Sequence, residues 1–173
     1  MNGENDMYDE LTEVDIKKMQ EEINHRVRVL RPQLIEEVQT ARAFGDLSEN
    51  FEYKCAKQAK NRNESRIRYL ERMIRTAKVI EVQTQEDTVG LFDKVTIFNE
   101  MVKKEMTIQI VTTLRQDALK GLISKESPVG KAVVGCKLGD RVQVEVSPTM
   151  KYFVEIRAIE KGEDDESMEI SSY

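Results

Sequence analysis

The strongest constraint on the fold is a short polar segment that lies between two long stretches of helical periodicity. Apolar residues recur every three or four positions over residues 12–44, and again over residues 48–79. Gly45, between these stretches, can adopt a positive φ at low cost. The pattern predicts two antiparallel helices of about 30 residues each, so that Asp46 and Glu49 lie at the turn, about 45 Å from the base.

The second half of the chain changes to the period of a β-strand. Apolar and polar residues alternate around residues 95–97, 106–110, 142–146 and 154–158, which indicates half-buried strands. Ser127, Pro128 and Gly135 mark the start and end of a short helix. The sequence therefore predicts an α+β protein: a long N-terminal coiled-coil hairpin, then a small antiparallel β domain with short helices.

The predicted domains follow from these patterns. Residues 1–82 form the hairpin, with residues 1–10 loose, and residues 83–162 form the β-rich domain. Residues 163–173 are acidic and lack periodicity, so we expect a disordered tail.

Composition places the chain among soluble proteins. It has 173 residues and a net charge of −5, with no apolar run long enough to cross a membrane. The polar, acidic start argues against a signal peptide. Cys55 and Cys136 are far apart and fit free thiols in a reducing compartment. We expect a cytoplasmic monomer with no membrane partner.

Charge is strongly segregated along the chain. Basic residues far outnumber acids on the second helix; they are Lys54, Lys57, Lys60, Arg62, Arg66, Arg68, Arg72, Arg75 and Lys78. Acids collect near both ends of the chain. Two interpretations stay open for the basic helix: a solvated surface, or a surface for a polyanion such as a nucleic acid.

The acids Asp46 and Glu49 also allow two interpretations. Their spacing fits a capping box, in which Asp46 is the N-cap and Glu49 bonds back to its amide. Carboxylate oxygens are also ligands that Mg²⁺ prefers. Two carboxylates on an isolated arm do not hold a metal stably, so the second interpretation requires an ion that is held elsewhere.

Residues 41–53 resemble the tip motif of the bacterial transcript cleavage factors, the GreA/GreB family. The resemblance extends to Arg31-Pro32, to residues 77–80 and to residues 123–128. It implies an FKBP-like second domain and a hairpin that enters the secondary channel of bacterial RNA polymerase. There, family members stimulate the polymerase's own cleavage of the nascent RNA 3′ end in backtracked complexes. The protein itself is then not an enzyme.

The resemblance also assigns roles to residues. Asp46 and Glu49 match the acids that help to hold the second Mg²⁺ of the polymerase active site; the protein has no cofactor of its own. Arg42 and Lys57 match basic positions of the family, and together with Lys60 and Arg62 they are candidates for contact with RNA phosphates.

Four apolar or aromatic residues belong to the tip: Phe44, Leu47, Phe51 and Tyr53. We expect them to pack together and to stiffen the turn, with stacking on an RNA base as the alternative. Phe51 departs from the family pattern, in which a small residue is more usual.

Other functions remain as alternatives. A secondary-channel inhibitor of polymerase without cleavage stimulation has the same fold, and the intact acid pair argues against it. A prolyl isomerase needs an aromatic-lined pocket, but the chain has no Trp and its second domain has few aromatic residues. A coiled-coil adaptor does not explain the acids at the tip of a basic arm. The sequence does not decide between a GreA-like and a GreB-like protein.

Overall fold

The computed structural model describes residues 9–46, 50–83 and 85–172. The chain divides into two compact units, one built mainly from Ile16–Ala77 and the other from Glu10–Asp15 together with Lys78–Tyr173. The first is helical and the second contains a β-sheet, so the predicted α+β class is confirmed. Residues 1–8, most of the segment predicted to be loose, lie outside the described residues. No helix in the described ranges is long and apolar enough to cross a membrane.

The predicted pair of antiparallel helices is present, with an interruption in the first arm. The helical elements are α1 (Glu13–His25), a π-helix (Arg26–Leu30), α2 (Arg31–Arg42) and α3 (Phe51–Thr76). Glu22 contacts Arg66 near one end of the hairpin, and Ala41 contacts Asn50 at the other. These contacts define the antiparallel direction of the two arms.

The interruption ends at Leu30, two residues before Pro32. Proline lacks a backbone N–H, and its ring crowds the carbonyl four residues earlier, which here belongs to Arg28. The helix widens over Arg26–Leu30, and the N–H of Arg31 bonds to the carbonyl of Arg26. This bond spans five residues, as in a π-helix. The first arm therefore accommodates Pro32 by means of a wider turn.

Packing is denser in the half of the hairpin away from the tip. The buried residues of α3 lie from its midpoint to its last turn; they are Asn63, Arg66, Ile67, Leu70 and Met73. In α2, only Ala41 is buried. The half of the hairpin that carries the tip is thus held by few buried apolar side chains.

A polar layer crosses the hairpin beside the π-helix. The Arg66 guanidinium bonds to both oxygens of the Glu22 carboxylate, at 2.9 and 3.0 Å. Arg26 bonds to the same carboxylate at 2.7 Å and to the Asn63 side chain at 3.1 Å. Burial acts to raise the pKa of Glu22, but the hydrogen bonds from Arg66 and Arg26 outweigh it and leave that pKa below its usual value. A satisfied polar layer of this kind favours one register of the two helices.

The second unit is built on a five-stranded sheet in the order β5-β4-β3-β7-β6. Its strands are β3 (Lys94–Asn99), β4 (Lys104–Val111), β5 (Leu122–Ser124), β6 (Arg141–Ser147) and β7 (Met150–Glu160); a separate parallel pair joins β1 (Glu10–Leu11) to β2 (Lys78–Val79). The strands predicted by alternation are all present. The sequence predicts an antiparallel sheet, but β4 and β5 are parallel, because residues 112–121 carry the chain back before β5 begins.

One face of the sheet forms the apolar core with the helix α4 (Pro128–Val133). Ser127 caps this helix as predicted: its hydroxyl accepts the N–H of Gly130 at 3.0 Å. A Cβ on Gly130 would lie 2.2 Å from the carbonyl oxygen of Ser124. Glycine is therefore required where α4 approaches the chain after β5.

The predicted disorder of the acidic tail is wrong for residues 163–172, which pack against the sheet unit. Asp164 lies 2.7 Å from the buried guanidinium of Arg115, and Ser171 bonds through its N–H and hydroxyl to the carbonyl of Leu114. Arg115 also contacts the buried carboxylate of Asp15 at 2.5 Å. The buried guanidinium of Arg115 thus binds part of the tail to the second unit.

Candidate functional site

The turn at the tip of the hairpin depends on Gly45. Its φ is +131°, and an added Cβ would meet no atom of the described residues within 4 Å. The backbone conformation, rather than lack of space, is therefore what favours glycine here. The prediction of a glycine-based turn between the arms is confirmed.

Asn50 closes the tip and begins the second arm. Its side-chain oxygen accepts the N–H of Tyr53 at 2.9 Å, which makes it the N-cap of α3. Its side-chain amide donates to the carbonyl of Ala41 at 2.7 Å, near the end of α2. Asp46 is therefore not the N-cap of α3, which begins at Phe51 after Asn50, and the bond pair between Asp46 and Glu49 stays a prediction. Glu49, the other member of that box, lies outside the described residues.

Asp46 is exposed on the loop after Gly45, next to a shallow hollow of about 620 Å³ lined by Phe44, Asp46, Asn50 and Glu52. Its carboxylate is a hard-oxygen ligand of the type that suits Mg²⁺. In the described ranges, no three His, Cys, Asp or Glu residues come together as a metal cluster. The described tip residues thus fit an incomplete ligand set for an ion that is mainly held elsewhere.

Two protein-family models match the chain: "Transcription elongation factor, N-terminal" over residues 10–79 and "Transcription elongation factor, GreA/GreB, C-term" over residues 83–161. A "Transcription elongation factor GreA" from Mesoplasma florum is 39% identical over 150 residues, which are 86% of this chain and 96% of that relative. The chain belongs to the GreA/GreB family of transcription elongation factors. This confirms the family to which residues 41–53 point.

The chain is also similar to other members of the GreA/GreB family. A GreA from Thermoanaerobacter pseudethanolicus is 42% identical over 137 residues, which are 79% of this chain and 87% of the relative. The solved Gfh1 protein of Thermus thermophilus covers 89% of this chain and 99% of its own length, at 24% identity and a TM-score of 0.41.

The aromatic residues at the GreA/GreB tip do not form the predicted stiffening cluster. Phe44 and Phe51 are 74% and 76% exposed. Leu47 lies outside the described residues. Tyr53 is half-buried, and the ammonium group of Lys57 lies 6.0 Å from the centre of its ring. The tip is thus held by Gly45 and Asn50, while two large aromatic side chains face solvent.

The basic candidates of this GreA/GreB chain differ in their accessibility. Arg42, the last residue of α2, and Lys57 and Arg62 on α3 are exposed, and Lys60 is half-buried. Lys57 and Lys60 are three residues apart and share one face of α3, whereas Arg62 is turned away from Lys57. The phosphate-contact role of these residues stays a prediction.

Sequence reasoning missed the two most important structural residues of the GreA/GreB tip region. Asn50 was within the tip motif, and its residue type is as good an N-cap as Asp. Its position directly before Phe51 was the available signal. Arg66 was counted with the exposed basic residues, but it is buried against Glu22, 44 positions away, and no local pattern reveals such a partner.

Proposed function

We propose that this GreA/GreB-family protein inserts its hairpin into the secondary channel of bacterial RNA polymerase and stimulates the polymerase's own cleavage of backtracked RNA. The observation that carries this proposal is the position of Asp46. Its carboxylate is exposed at the far end of a two-helix arm, on a loop that Gly45 shapes and Asn50 closes. The bonds of RNA are then cut in the polymerase active site, and the protein is not itself an enzyme.

The donor set at the tip supports a shared Mg²⁺. Mg²⁺ usually takes one or two carboxylates and keeps several waters. In phosphoryl transfer such an ion lowers the pKa of an attacking water and neutralises charge on the phosphate. Asp46, together with Glu49, would supply the missing carboxylates. An arm that offers only these ligands suits an ion that the polymerase already holds.

The charge of the hairpin supports the approach of RNA. Arg42 lies at the tip end of α2, and Lys57 and Lys60 share a face of α3. Exposed cations attract phosphates, and the resulting affinity falls as salt rises. The nascent RNA 3′ end, displaced into the channel in a backtracked complex, is therefore the second partner that we propose.

The decisive experiment replaces the acids without changing their size. Asp46→Asn and Glu49→Gln remove a charged ligand, and Asp46 is not the cap of α3, so the helices should melt as in the parent. We expect cleavage of backtracked RNA to fall by at least about ten- to a hundredfold, since even the loss of a residue that only supports a metal ligand has an effect of that size. Added Mg²⁺ should restore part of the loss.

The matched control is Glu21→Gln, which removes an exposed acid from α1, outside the tip and its hollows. It should cleave like the parent. If Asp46→Asn also cleaves like the parent, the acid has no part in metal binding and the proposal is wrong. If the parent binds polymerase and inhibits it without any cleavage, the protein is instead a secondary-channel inhibitor.

A further inference from the structure

Two phenylalanine side chains flank the loop that carries Asp46, and both face solvent. Phe44 is 74% exposed and Phe51 is 76% exposed. Large apolar side chains are usually buried in soluble proteins, so two such rings at the end of one arm need an explanation.

The backbone positions of both residues are fixed by helix ends. The N–H of Phe44 bonds to the carbonyl of Ala41 at 3.3 Å, at the end of α2. Phe51 is the first residue of α3, directly after the cap Asn50. Asn50 bonds to the same Ala41 carbonyl. The two rings are therefore presented from anchored points on either side of the loop.

Phe44 lines two hollows that also carry acidic side chains. Asp46, Asn50 and Glu52 line the smaller one, and the larger one is lined by Glu36, Glu37 and Glu52 together with the apolar residues Ala41, Ala56 and Ala59. Carboxylates repel phosphate, so an RNA backbone is disfavoured in these hollows. Carboxylates instead accept hydrogen bonds from the amino groups of bases, as acidic side chains do from cytosine. An apolar protein surface would leave these charges without partners.

We propose that Phe44 and Phe51 stack on unpaired bases of the RNA 3′ segment and so position it next to Asp46. The proposal rests on the function proposed above and names the part of the RNA that the tip recognises. Aromatic side chains stack on any base, because every base has a π-face. The basic residues Arg42 on α2 and Lys57 on α3 are both exposed, and they can hold phosphates while the rings hold bases. Phe44 and Phe51 are thus positioning residues rather than catalytic ones.

The test uses full-length protein and compares two kinds of backtracked complex, one with natural RNA and one with abasic nucleotides at the 3′ end. The doubly substituted Phe44→Ala, Phe51→Ala protein is titrated against both, and binding and cleavage are measured separately. On natural RNA we expect its half-saturating concentration to rise about tenfold, which corresponds to about 1.4 kcal/mol. On abasic RNA it should match the parent, because no base is present to stack.

Two further variants complete the design. Phe44→Trp, with Phe51 unchanged, should keep the parent's affinity for natural RNA, because a larger ring also stacks. Ile35→Ala is the matched control: it removes an exposed apolar side chain, 38% exposed, from α2 outside the tip. It should bind both complexes like the parent.

The outcomes separate this inference from the proposed function. An unchanged affinity for natural RNA overturns the stacking proposal, whatever the cleavage rate. Equal losses on natural RNA, abasic RNA and RNA-free polymerase also overturn it, and indicate that the rings contact polymerase instead. A parent that binds complexes in a base-dependent way but stimulates no cleavage supports stacking and refutes the proposed function.

Discussion

Replacement of Asn50 tests how the tip is held. In Asn50→Ala two hydrogen bonds disappear: the one from the Tyr53 N–H, at 2.9 Å, and the one to the Ala41 carbonyl, at 2.7 Å. Loss of an N-cap costs about 1 kcal/mol. Loss of a partly buried hydrogen bond costs about 1 kcal/mol more. We therefore expect local opening of the tip to become easier by about 2 kcal/mol.

Asn50→Asp separates the two bonds. Its carboxylate still accepts the Tyr53 N–H, and a negative charge at this helix N-terminus is favourable. It cannot donate to Ala41, and it brings a carboxylate oxygen towards a carbonyl oxygen. We expect a loss of about 1 kcal/mol from the link between the arms, with the cap intact. Asn50→Ser, an uncharged cap, should behave similarly without the repulsion.

The assay is amide hydrogen exchange of Tyr53 in the full-length protein, which reports the opening of the first turn of α3. In Asn50→Ala exchange should accelerate about thirtyfold, the factor that corresponds to about 2 kcal/mol. In Asn50→Asp it should accelerate much less, because the cap bond remains. If the Ala variant exchanges at the parental rate, or if the Asp variant exchanges as fast as the Ala variant, this account of the tip is refuted.

Two further predictions concern buried charge. Hydrogen bonds from Arg66 and Arg26 hold the pKa of Glu22 below its usual value despite burial. The ionised Glu22 therefore stabilises the fold above its unfolded pKa, about 4.3, and this contribution is lost as pH falls through the folded pKa. Acid titration followed by helix circular dichroism should show a weaker pH dependence in Glu22→Gln than in the parent. Arg115→Met leaves the buried Asp15 carboxylate unpaired at a cost of about 3–5 kcal/mol, so calorimetry should show a midpoint lower by on the order of 10 °C. The control Arg157→Met removes an exposed arginine that pairs with Glu155, and equal melting of the two variants would contradict the role assigned to Arg115.

The helical hairpin was predictable because its information is local. Steps of three and four apolar residues define each arm, and the single Gly45 between them marks the turn. The cap of α3 was not predictable from the same pattern, because Asp46 and Asn50 are equally suitable residue types. Asn50 is used because its side chain can both accept and donate. The second bond, to Ala41, is visible only once the arms are folded together.

The parts that sequence reasoning missed depend on distant partners. The strand β5 is short and pairs in parallel with β4, so it has neither the length nor the turn that identify a hairpin strand. The tail looked disordered because its acids have no local counter-charge. Their partner Arg115 lies in a segment without periodicity and is completely buried. Alternation predicted the other strands because one face of each is buried.

The π-helix at Arg26–Leu30 changes how far the first helix of the hairpin extends toward the tip. Two cross-links bound the outer part of the hairpin, one between Arg26 and Asn63 and one between Ala41 and Asn50. Between these cross-links, the first helix advances by 15 residues, from Arg26 to Ala41, and the second by 13, from Asn50 to Asn63. At about 1.5 Å per residue, two regular helices would end about 3 Å apart in height.

A π-helical turn holds more residues than an α-helical turn, so it takes up surplus length in the first arm. One such turn takes up about one residue, which is about half of the difference in length, and so brings the ends of the two helices closer to level at the loop of Asp46. A deletion of one residue within Arg26–Leu30 would restore a regular helix there. A deletion anywhere else in either arm would turn the tip by about 100° and aim its acids in a new direction.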